Sequence, residues 1–164
     1  MLFLSTFAKK IDKKGRVSVP SQFRAIVANE EFGGIVLYQS FINECLEGCA
    51  MSRIEAISER IDALDPFSEE HDAFASTILG GSVQLPFDGE GRIVIPVEML
   101  EGIGIDEEAI FVGKGKTFEI WHPQKFALHA ENSRKLALAK RNMLHAKSPM
   151  FYAKNNELNA KREG

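Results

Sequence analysis

The chain has 164 residues, 45% of them apolar and 26% charged, with a formal net charge of -3. That balance supports a buried core and excludes a wholly disordered chain, and no run of about 18 apolar residues is present to cross a bilayer as a helix. Two cysteines, Cys45 and Cys49, are too few for a disulfide framework, so reduced thiols and a cytoplasmic setting are expected.

The opening Met1-Leu2-Phe3-Leu4 is a short apolar stub without the basic start and long apolar stretch of a secretory signal. Asp12-Lys13-Lys14-Gly15-Arg16 then predicts a tight turn. Gly15 supplies the positive φ, and the Asp12 side chain can bond the turn's own backbone. The turn leads into Val17-Ser18-Val19, which is strand chemistry, and Pro20 opens a short helix over Ser21–Ala28. A strand pair is expected near 35–50. From Met51 to Leu79, Ile54, Ile57, Ile61 and Leu64 recur at helical spacing. Asp65-Pro66 breaks the helix, which resumes over Ser68–Leu79, with Glu69, Glu70 and Asp72 near its positive end.

The turn then recurs. Asp88-Gly89-Glu90-Gly91-Arg92-Ile93-Val94-Ile95-Pro96 aligns without gaps on Asp12–Pro20, 76 residues downstream, with Asp, Gly, Arg and Pro in place. A helix over Val97–Gly102 and strands within 109–121, turning at Gly113-Lys114-Gly115-Lys116, complete the second copy. Pro123 to Lys147 predicts a long basic helix carrying Phe126, Leu128, Leu136, Leu138 and Leu144, and the polar residues from Ser148 predict a loose tail.

Charge separates the two copies. Residues 9–24 hold six cations against Asp12, a net +5, whereas residues 85–100 hold Arg92 against Asp88, Glu90 and Glu98, a net -2. A cationic turn on a β scaffold suits phosphate, and arginine can also bond guanine through two donors. Asp and Arg four residues apart can pair and hold the turn's shape while arginine keeps further donors free. Other chemistry is absent from the pattern. The C-x3-C of Cys45 and Cys49 has no histidine at ligand spacing, so no metal is expected. Gly115-Lys116-Thr117 has Ile110 where a phosphate-binding loop needs glycine. No catalytic residue, cofactor or small-molecule substrate is expected.

Two copies of D-x-x-G-R-[VI]-x-[VI]-P resemble the SpoVT-AbrB DNA-binding domain. Their doubling, with Phe3-Leu4-Ser5-Thr6-Phe7 ahead of Ile11–Pro20, resembles the MraZ family of bacterial transcriptional regulators over residues 1–145. The resemblance implies a mainly β fold with helices, of α+β class. In it two swapped-hairpin units form a double-ψ-barrel-like core, with a helical insert and a C-terminal helix. The implied domains are 7–53 and 82–125, separated by the insert 54–81 and followed by helix and tail over 126–164. It further implies a ring-shaped homo-oligomer, associated with the nucleoid. Such a ring represses its own division and cell-wall gene cluster by binding repeated promoter elements in double-stranded DNA. The family's D-x-x-x-R motif falls on Asp12 and Arg16 and on Asp88 and Arg92. The expected DNA contacts are Arg16, Lys13 and Lys14, with Lys10, Arg24 and Arg92 beside them; Asp12, Gly15, Asp88 and Gly91 shape the turns. Two other classes compete. One is an antitoxin whose tail, through Met150, Phe151, Tyr152 and Leu158, wraps a protein toxin. The other is a barrel enzyme, for which the chain offers no nucleophile–base pair.

Overall fold

A computed structural model of the chain describes residues 1–145. Eight strands pair, all antiparallel, in two sheets. The larger contains β1 (Thr6–Lys10), β3 (Gly34–Gln39), β4 (Leu46–Cys49), β5 (Val83–Pro86), β7 (Glu108–Gly113) and β8 (Phe118–Trp121), in the order β1-β7-β8-β4-β3-β5. The smaller is a ribbon of β2 (Arg16–Ser18) and β6 (Arg92–Val94). Exchanging the repeats maps this order onto itself. β1 of the first repeat pairs with β7 of the second, β5 of the second pairs with β3 of the first, and β4–β8 and β2–β6 join the repeats directly. The α+β class and the interlocked units are therefore present. The barrel-like closure takes a more open form: the three-residue β2 and β6 pair with each other as a separate ribbon, and the large sheet ends at β1 and β5.

Alternation explains the packing. Val17 and Ile93 point inward from the ribbon, and their neighbours Arg16, Ser18, Arg92 and Val94 point outward. The core collects Phe3, Phe23, Phe111 and Phe118, with Phe3–Phe118 and Phe23–Phe118 ring centroids 5.0 and 5.1 Å apart. The opening stub is thus not free. Phe3 exchanges backbone hydrogen bonds with Gly115 at 2.8 and 3.0 Å, tying the chain start to the β7–β8 turn and inserting its ring into the core.

β3 is buried on both faces, which accounts for its unbroken apolar run Ile35-Val36-Leu37-Tyr38. Ile35 and Leu37 enter the main core. Val36, Tyr38 and Cys49 face Met51, Ile54 and Ile78 of the insert, so the insert is a lid on the outer face of the first repeat. It consists of α2 (Met51–Asp62) and α3 (Glu69–Phe74), the latter continued by a π-helical turn, Ala75–Leu79. Between the helices Asp65 accepts a bond from the Phe67 amide, and Ser68 caps α3 by accepting from the His71 amide at 3.1 Å. Both thiols are fully buried, and burial pushes Cys49 up to about 12, so neither ionises near neutrality.

The outer face of the second repeat is held differently. Burial of Glu119 works against its charge, but Trp121 Nε1 at 3.1 Å and Lys114 Nζ at 3.3 Å donate to it and keep its carboxyl below the ordinary range. The remaining helices are α1 (Ser21–Val27), α4 (Val97–Gly102) and α5 (Pro123–Ala139).

The described residues fall into two units, Met1–Phe126 and a second that begins at Ala127. In the second, Leu128, Leu136 and Leu138 are exposed, because their spacing makes no single apolar stripe. The helix expected to run to Lys147 ends at Ala139; Lys140 leaves helical geometry and a short 3-10 turn, Arg141–Leu144, follows. Nothing apolar lines up to hold further turns. The tail expected from Ser148 lies outside the described residues. No helix among the described residues is long and apolar enough to cross a membrane.

Candidate nucleic-acid interface

The two turns are built alike, from their aspartates outward. Asp12 Oδ1 accepts the backbone N–H groups of Lys14 at 3.0 Å and Arg16 at 2.9 Å, and Oδ2 accepts Arg16 Nε at 2.6 Å. Asp88 repeats the pattern with Glu90 at 2.8 Å, the Arg92 amide at 2.9 Å and Arg92 Nε at 2.8 Å. One carboxylate therefore caps the turn backbone and aims the arginine. The backbone N–H of Arg92 is the main reason the Asp88 carboxyl is lowered to about 2, and that of Arg16 lowers Asp12 in the same way. Each arginine bonds its aspartate through Nε, so its terminal nitrogens keep donors for a further acceptor, and in the second turn Nη1 of Arg92 lies 3.7 Å from Glu90.

Glycine is required at both bends. Gly15 has φ +81° and Gly91 φ +75°. A Cβ at Gly15 would strike the Ile95 carbonyl, and one at Gly91 would strike the Arg24 guanidinium. These approaches cross between repeats. The Gly15 carbonyl accepts the Ile95 amide at 2.9 Å, and the Gly91 carbonyl accepts the Val19 amide at 3.2 Å. Each turn is braced by the strand end of the other copy.

The β2–β6 register sets Arg16 opposite Val94 and Ser18 opposite Arg92. All four side chains share the outward face of the ribbon, with one turn at either end, and Asp12 lies close enough to act on the charge of Arg92. Lys13 and Lys14 are exposed at the tip of the first turn, and Lys10 is exposed at the end of β1. Gly89 and Glu90 form the second tip, and Glu90 reaches Arg92 at 3.7 Å.

Three features are hidden in the chain order. Ser18 and the 54%-exposed Val94 join the arginines on the ribbon face, a consequence of period-2 alternation on paired strands. A cleft of about 320 Å³ sets Lys13 and Lys14 across from Glu101, Asp106 and Glu107, so the net +5 of the sequence window overstates the local potential. Arg24, which stands with the first turn in sequence, lies against the second in space. No group of acidic, histidine or cysteine side chains among the described residues is arranged to hold a metal ion.

Sequence comparison finds relatives of this chain among known proteins. A family model described as "MraZ protein, putative antitoxin-like" matches residues 78–145. The chain is 48% identical over 136 residues to Transcriptional regulator MraZ of Rickettsia akari (strain Hartford), covering 83% of this chain and 91% of that protein. It is 50% identical over 141 residues to Transcriptional regulator MraZ of Rickettsia bellii (strain OSU 85-389), covering 85% and 94%. Both relatives are named as regulators of transcription, not as enzymes. With about half of the aligned residues shared over nearly the full length of such relatives, and with the doubled, interlocked turn in place, the chain belongs to the MraZ family.

Proposed function

We propose that this chain regulates transcription by binding double-stranded DNA through the outward face of the β2–β6 ribbon and its flanking turns. The observation that carries the reading is the register that puts Arg16, Ser18, Arg92 and Val94 on one exposed face. The major groove, about 12 Å wide, admits a two-stranded ribbon, and an arginine bonding guanine through two donors contributes about 1–3 kcal/mol of discrimination. Arg16, Lys13 and Lys14 are the principal contacts, Lys10 and Arg24 add charge, and Arg92 is the lesser arginine. Asp12, Gly15, Asp88 and Gly91 hold the shapes. The names of the relatives support the same reading.

A single ribbon is a small site, and a ring of subunits on repeated elements would raise its grip by about 10²–10⁴ through intramolecular rebinding. The regulated promoter is the chain's own, and the effect there is repression of a division and cell-wall gene cluster. Arg16→Ala tests the assignment. The probe is a labelled duplex spanning the region upstream of the chain's own gene, and the mass of the assembly is measured alongside. The expected result is at least about tenfold weaker binding, the worth of one arginine–guanine pair, at unchanged mass. Unchanged affinity overturns the assignment. A reporter on the same promoter should rise when the protein is removed; a fall would make it an activator.

A further inference from the structure

Taken by itself the second turn is a poor place for phosphate. Arg92 is held by Asp88, faces Glu90 at 3.7 Å and has no lysine neighbour on its own loop. The swapped strands change its surroundings. Val19, at the end of the first repeat's ribbon strand, donates to the Gly91 carbonyl, and the helix that follows carries Arg24 onto the second turn. The Arg24 guanidinium occupies the space that a Gly91 side chain would take. Its Nε is buried with no hydrogen-bond partner, and among the described residues Arg24 forms no ion pair.

Packing does not explain that charge. The repeat offset places Leu100 at the equivalent position of the second copy, and Leu100 lines the cleft beside Gly15 and is buried. An apolar stem is therefore enough to fill this position in the fold. A half-buried cation without a counter-charge is costly, and an anion docking at the turn would remove that cost. We infer that Arg24 and Arg92, one from each repeat, together form a DNA-phosphate site at the second turn, with Gly91 leaving the space in which Arg24 lies. The inference rests on the DNA-binding reading above. It makes the acidic copy of the turn a working half of the surface, completed in trans by the basic copy.

The test uses the full chain and the same upstream duplex, with binding measured across a salt series. Arg24→Leu installs the residue that the other repeat already tolerates. It should leave the melting temperature and assembly mass unchanged, weaken binding, and lower the slope of log K against log salt by about 0.9 for each subunit engaged. Arg24→Lys should keep most of the slope. Arg24→Leu combined with Arg92→Ala should fall short of the product of the single effects, because the two groups hold one phosphate. Wild-type affinity and slope in Arg24→Leu overturn the inference, as do single effects that multiply. Equal weakening in the leucine and lysine variants with an unchanged slope also overturns it, by showing a structural role alone. If Arg16→Ala binds normally, the DNA-binding reading itself fails. If Arg16→Ala abolishes binding and Arg24→Leu does not weaken it, only this inference falls.

Discussion

Residues 12–16 and 88–92 share the same hydrogen bonds, the same left-handed glycine and the same aspartate–arginine pair, yet they present opposite charge at their tips. Asp, Gly and Arg specify the shape. The two residues between Asp and Gly, Lys13-Lys14 in one turn and Gly89-Glu90 in the other, specify what the shape offers to an anion. Shape and charge are therefore separately encoded, and a turn can keep its geometry while changing its electrostatic role. The neighbours differ as well, since Leu100 lies beside the first glycine and Arg24 over the second.

The sharpest way to break this comparison is to exchange the tips. Replacing Lys13 and Lys14 by Gly and Glu should leave the fold intact and remove about 0.9 of salt slope for each phosphate that is no longer neutralised, with about 10–100-fold weaker binding at moderate salt. Arg92→Ala should cost less than Arg16→Ala in the same titration. An equal cost would show that the acidic tip does not weaken the second turn.

Stability distinguishes the two glycines by a smaller effect. Both Gly15→Ala and Gly91→Ala carry about 1–2 kcal/mol of left-handed backbone strain. At Gly15 the new methyl also meets the Ile95 carbonyl, which is backbone and cannot swing away, whereas at Gly91 it meets the end of a flexible arginine. Chemical denaturation should therefore rank Gly15→Ala as the more destabilising. The reverse order would mean that Arg24 is locked in place.

The smallest effect is that of pH. The Asp88 carboxyl, lowered from 3.8 to about 2 in the folded chain, favours the fold when ionised. Its contribution is complete above about pH 4 and disappears as pH falls through about 2. Carboxyl-carbon NMR should show both turn aspartates ionised and unchanged from pH 8 to pH 5. A midpoint at or above the ordinary aspartate value would mean that the backbone N–H bonds to the carboxylate are not made.

Much of this was legible in the chain because it is local. The turn's aspartate, glycine and arginine lie within five residues and bond one another, and the break at Asp65-Pro66 is an aspartate capping its own loop. What the chain order hid is long-range. That β1 pairs with β7 and β5 with β3 follows from no periodicity, since any half-buried strand satisfies the same alternation. The position of Arg24 was hidden for the same reason: its neighbour in space, Gly91, belongs to the other repeat, and sequence proximity grouped it with Lys13 and Arg16. α5 ends short of the expected Lys147 because scattered leucines count toward hydrophobicity without forming a stripe.

The exchange of strands between copies also sets a timetable for synthesis. Thr6–Lys10 hydrogen-bonds to Glu108–Gly113, roughly a hundred residues later in the chain. At about 5–20 residues per second on a ribosome, the first strand waits about 5–20 seconds for its partner to be made. Through that interval the earlier copy has an open edge and an unfilled aromatic cluster. The window falls during synthesis, and nascent-chain chaperones have a defined interval in which to act.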